Sequence, residues 1–187
     1  MIEVFKELDG RMLKGIMLHA QLTDYFDFLN LHGFKRWQEY RFFDETAELR
    51  GLHRYAINHC NKLIGESTVE NPRMIPQDWG NYTRLQVDSA TRKAAVKEAF
   101  SKWYEWEKGT KEFYESKFKT LTDNNKIADA DKVNCLVCAV DQELKVLTRK
   151  MLEYKAVDYD MSYIMYQQPE LHEYYKQKTK DIGIDIC

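Results

Sequence analysis

From residue 2 to about residue 30, Phe5, Leu8, Met12, Ile16, Leu22 and Phe26 recur at the spacing that lines one face of an α-helix. His19 shares that stripe. A second helix, about 34–64, carries Phe34, Trp37, Leu52, Tyr55 and Leu63 on one side, with Glu45 and Glu48 among them and Glu48 near the centre. A third, about 88–121, aligns Val96, Phe100, Trp103, Thr110, Tyr114 and Leu121; Glu107 lies on that face and Glu105 points away from it. Ser89 and Thr91 are its candidate caps. A fourth, about 129–155, aligns Leu136, Ala139, Val140, Leu147 and Tyr154 around Glu143.

The breaks decide how these helices are arranged. Leu31, His32 and Gly33 make a short interruption, with Gly33 suited to the left-handed conformation of a helix end, so the first two helices run antiparallel. The stretch from Thr122 to Lys126, with Asp123, Asn124 and Asn125, reverses the chain again. Between the two hairpins, the pattern lapses at Pro72, Pro76 and Gly80, which predicts a long crossover. The tail at 156–187 is rich in tyrosine and predicts one short helix after Pro169. The expectation is one all-α domain over 1–187, a four-helix bundle with a long connection between helices 2 and 3.

Composition agrees with this picture and narrows the partners. Of 187 residues 44% are hydrophobic and 31% charged, with only 8 Gly and 3 Pro, as expected of a helical protein with one buried core. The net charge of −2 leaves no basic footprint for nucleic acid or an anionic membrane. No apolar run is long enough to span a bilayer, and Cys60, Cys135, Cys138 and Cys187 form no disulfide framework, so the expected location is the cytoplasm. Cys135 and Cys138 form a C-x-x-C without a second ligand pair, read here as two small residues on a helix.

The inward ionisable residues carry the functional expectation. A carboxylate on an apolar stripe costs several kcal/mol unless it is paired. His19 stands 14 residues before Gly33 and Glu45 stands 12 after it, while Glu107 and Glu143 each stand 18 from Asn125. At about 1.5 Å per residue, each hairpin places its own pair at about one level. His19, Glu45, Glu48, Glu107 and Glu143 together form a hard, oxygen-rich donor set suited to iron or manganese, with room for one ion or two. In a catalytic version the substrate is Fe(II), Glu48 and Glu143 bridge, and Tyr114 or Tyr55 stands nearby. The competing reading is a buried salt-bridge network in which Arg41, His59 or Lys150 neutralises the acids without any metal, in a scaffold that works by association.

At these residues the chain resembles the ferritin and Dps superfamily. Leu18-His19 followed by Asp44-Glu45-Thr46-Ala47-Glu48 is similar to the Dps pattern of a first-helix histidine and an Asp-x-x-x-Glu, which adds Asp44 and His32 as secondary candidates. Trp106-Glu107 and Val140-Asp141-Gln142-Glu143 are similar to the metal-bearing segments of ferritin. Glu48 stands where the ferritin Glu-x-x-His would place its histidine, no glutamate lies on the inward stripe of helix 1, and no histidine follows Glu143 by three residues. The resemblance implies iron binding, Fe(II) oxidation by oxygen or peroxide, and a homo-oligomer, often a hollow cage. The Dps-type protection of DNA that it also brings is disfavoured by the near-neutral charge.

Overall fold

The computed structural model describes residues 2–65 and 87–182 of the chain, and these form five α-helices. They are α1 (Ile2–Phe28), α2 (His32–Cys60), α3 (Ser89–Asp123), α4 (Ile127–Ala156) and α5 (Met161–Asp181). The four expected helices are present with ends displaced by a few residues. The predicted crossover between α2 and α3 lies mostly outside the described residues, as does Cys187.

Local chemistry explains the turns, and in two places differs from the expectation. Asn30 (φ 59°), not Gly33, takes the left-handed conformation after α1, and the Leu31 N–H reaches back to the Phe26 carbonyl at 2.9 Å. Asn tolerates that region because its short polar side chain bonds locally. Asn125 (φ 55°) does the same after α3. Helix α3 is capped by Asp88, whose side chain accepts from the Thr91 N–H at 2.7 Å, in place of Ser89 or Thr91.

Helix α1 packs along α2, α3 along α4, and α5 along α2. The buried stripes meet as two apolar clusters. One contains Leu22, Phe26, Phe34, Trp37, Phe100, Trp103, Leu147 and Tyr154, and the other Phe5, Leu8, Met12, Leu52, Tyr114, Val133, Leu136 and Val140. Glu45, Glu107 and Glu143 fall between the two clusters on their respective helices, and His19 lies on α1 at the edge of the first cluster, next to Leu18. Leu63, expected on the inward side of α2, lies beyond its end and is exposed, while Tyr55 and Ala139 are only partly buried.

The main departure is α5, which runs for 21 residues with Pro169 inside it. A proline in a helix interior costs about 3 kcal/mol. Burial of Met161, Ile164, Leu171 and Tyr175 outweighs that, since each large apolar side chain contributes about 1.5–3 kcal/mol. Gln168, on the same buried face, accepts from the Gly33 and Phe34 N–H groups at 3.0 and 3.2 Å. These are donors that every helix start leaves over, and α2 has no side-chain cap of its own. Gly33 permits the approach, because a Cβ there would meet the Gln168 carbonyl oxygen at 2.6 Å.

Gly33→Ala should therefore push α5 off α2 and destabilise the protein by about 1–3 kcal/mol, read as a lower urea midpoint. An unchanged midpoint would contradict the close packing of α5.

Candidate metal centre

Three helices bring His19 (α1), Glu45 (α2) and Glu107 (α3) together in the interior, with one donor atom from each lying within 4.8 Å of the others. His19 Nε2 is 3.2 Å from Glu45 Oε1 and 3.5 Å from Glu107 Oε1. All three residues are buried. The other ring nitrogen, Nδ1, lies 2.7 Å from Gln38 Oε1, a carbonyl oxygen that can only accept. Nδ1 therefore carries a proton, and Nε2 is the atom directed at the acids.

Neighbouring groups fix each carboxylate. The Trp103 indole N–H donates to Glu107 Oε1 at 2.9 Å, and its ring meets the His19 ring edge-on at 5.9 Å. Arg41, buried on α2, donates to Glu45 Oε1 at 3.3 Å and to Asp44 at 2.9 Å, and its Nε stands 3.6 Å from Glu143 Oε1. Glu45 Oε2 is buried with no hydrogen-bond partner. It points at Gly15 on α1, where a Cβ would come within 2.5 Å of it. The missing side chain at Gly15 is what lets Glu45 lie at this level.

Of the five residues read from the sequence, the tight cluster gathers His19, Glu45 and Glu107. Glu143 turns to Arg41 instead. The buried seam of α2 runs through Arg41, Glu45, Leu49 and Leu52, so Glu48 lies one position off it and only within the field of Arg41, Asp44, Glu45 and Glu107. Among the secondary residues, Asp44 pairs with Arg41, and His32 is on the surface, 3.7 Å from Asp27. Lys150 pairs with Glu153 and His59 stacks on Tyr55, so neither reaches the acids. Tyr55 donates to Asp129, whereas Tyr114 is buried in the field of Glu45, Glu48 and Glu107. His53, outside the inward stripe, pairs with buried Asp9 at 2.6 Å. Cys135 and Cys138 are exposed free thiols. Gln38 and Gly15 were not singled out from the sequence, and Trp103 was read there only as part of the apolar stripe; their spacing of about one turn from Arg41, His19 and Glu107 is the signal that could have marked them.

The charges are strongly coupled. Burial alone would lower the His19 pKa, but the Glu45 charge and hydrogen bonds to Glu107 and Glu45 overcome it and raise it to about 10. Burial works to raise the Glu107 pKa, and His19 and Arg41 hold it below the usual carboxylate range. Burial dominates at Glu48, raised to about 7 despite Arg41, and raises Glu143 as well. With no cation bound, the cluster is neutralised by a proton on His19 Nε2 and by the Arg41 guanidinium.

No protein-family model, curated protein or solved structure matches the chain.

The pH dependence of metal-free stability follows from these shifts. A histidine with a raised folded pKa contributes fully below pH 6.5, and that contribution is lost as pH rises through about 10. Glu48 acts in the same sense, its contribution lost from 4.5 through about 7. Glu107, with a lowered pKa, opposes them only as pH falls into the acid range. Melting temperature should therefore fall on going from mildly acid to alkaline pH. Glu143, also raised by burial, acts in the same sense as Glu48, so Glu48→Gln should shrink the drop on the way to neutrality and His19→Gln should remove the drop at higher pH. A melting temperature that rises across this range would refute the protonated His19.

Proposed function

We propose that the chain is a ferritin-like metal-binding protein that holds iron or manganese between His19, Glu45 and Glu107. The observation that carries this reading is the buried Nε2 of His19 facing two carboxylates from two other helices, with Glu45 Oε2 left without a partner. One imidazole and two carboxylates suit either metal. Gln38 acts as the outer support that orients a ligating histidine through its second nitrogen. The metal would replace the proton on Nε2, so the cation and the proton compete for one place.

The geometry favours one ion over two. Arg41 stands between Glu45 and Glu143, so a fixed guanidinium already supplies charge where a second cation would sit. Bound iron would supply Fe(II) oxidation, which is the enzymatic form of this proposal, and the ferritin-like reading adds a homo-oligomer. Among the described residues no helix is long and apolar enough to cross a membrane, and the free thiols suit a cytoplasmic site.

The second reading, a metal-free scaffold, rests on the same charges. Protonated His19 and Arg41 offset Glu45 and Glu107 without a cation. Metal uptake separates the two.

Anaerobic loading with Mn(II) or Fe(II), followed by elemental mass spectrometry, should give about one ion per chain. His19→Ala and Glu107→Gln should lower affinity by at least about tenfold. Gly15→Ala should also weaken binding although it removes no ligand, because its Cβ displaces Glu45 Oε2. Loss of Fe(II) in air tests the oxidase form. No uptake by the wild-type protein would leave the scaffold reading.

A further inference from the structure

Helix α5 follows α2 closely but is tied to α4 mainly near Glu153. That carboxylate accepts from the Tyr163 hydroxyl at 2.7 Å, from Lys150 at 3.0 Å and from Gln167. Beyond this clasp the two helices leave a cavity of about 750 Å³, walled by α4 and α5 and floored by α2. Its size is that of small-molecule sites, about 300–1,000 Å³.

The charges around it are unevenly committed. Arg41 pairs with both Asp44 and Glu143, which also line the cavity, and Lys150 pairs with Glu153. Arg149 and Lys178 line the same cavity with no acidic partner among the described residues, against one uncommitted acid, Glu170. Two cations without an acidic partner, Arg149 and Lys178, therefore face the space above the ion pairs of its floor.

One wall is aromatic and held from behind. Tyr174 meets Tyr175 edge-on at 4.9 Å, and Tyr175 stacks on buried Trp37 at 5.0 Å with the rings 10° apart. The Lys178 ammonium lies 5.7 Å over the Tyr174 ring, which joins the cationic and aromatic features. Trp37 anchors this wall, so the aromatic surface is preorganised for a flat ligand.

We propose that this cavity binds a small aromatic anion, its carboxylate or phosphate held by Arg149 and Lys178 and its ring against Tyr174. The site uses none of the His19, Glu45 and Glu107 donors, so it stands or falls independently of the metal reading. Arg149, Tyr174 and Lys178 are all exposed, and their replacement should leave the fold intact.

Calorimetric titration of the metal-free and metal-loaded protein with benzoate and phenyl phosphate tests the proposal, with benzyl alcohol and inorganic phosphate as controls. Both aromatic anions should bind at least about tenfold more tightly than either control, as expected when a charge-assisted contact and a ring contact are both needed. Arg149→Ala with Lys178→Ala should remove about tenfold or more of that affinity, and Tyr174→Ala should weaken it while sparing inorganic phosphate. Binding of phenyl phosphate alone would identify a phosphate-bearing ligand, and of benzoate alone a carboxylate. No binding of either at about 10 mM, or binding unchanged in the double variant, would overturn the proposal. Circular dichroism of the variants checks that a loss is not unfolding.

Discussion

The buried charge layer is the constraint to which the rest of the molecule is fitted. Carboxylates from α2, α3 and α4 occupy a level of the interior where apolar side chains would otherwise continue, and they divide the core into two clusters. Desolvated acids at that depth cost several kcal/mol each unless paired. The interior therefore contains Arg41 on the same level, His19 with a proton held on its inward nitrogen, and Arg11 nearby. Arg11 lies 3.7 Å above the Trp106 ring and donates to Thr110, with Gly109 leaving room for its guanidinium. A proton on His19 and a divalent cation are two solutions to the same excess of negative charge, which is why the metal and scaffold readings share their residues.

Much of the layer was legible in the sequence because it is set by counting from the turns. Counted from Asn30 rather than Gly33, His19 and Glu45 stand 11 and 15 residues from the turn, an offset of about 6 Å at about 1.5 Å per residue, which their side chains span to meet at 3.2 Å. What counting could not distinguish was the choice between adjacent carboxylates. Glu45 and Glu48 both lie close to the apolar stripe, and it is the structure's contacts with α1, at His19 and Gly15, that bring Glu45 into the cluster. Glu143 was on the expected level, but its nearest partner is Arg41. The sequence pattern alone does not say whether a buried acid meets a guanidinium or another acid.

Helix α5 was hidden for a different reason. Its buried face reads Met161, Ile164, Gln168, Leu171, Tyr175 and Thr179, so two of six positions are polar, and Pro169 interrupts the segment. Periodicity is weak where polar side chains are buried for their hydrogen bonds. The polar position at Gln168 is nevertheless the reason the helix sits where it does. By docking on α2 rather than α4, α5 encloses the cavity and brings Tyr175 against Trp37, linking the surface of that cavity to the interior through one ring stack.

Gln168 also orders the assembly in time. The start of α2 is completed by a side chain 134 and 135 positions further along the chain. While the polypeptide emerges from the ribosome, α1 and α2 can pair early, but the N–H groups of Gly33 and Phe34 remain bonded to water until α5 has been made and has docked. The first hairpin is thus finished by a residue synthesised 135 positions after Gly33, and the helix that carries Arg41 and Glu45 reaches its final rigidity only once α5 has been made and has docked.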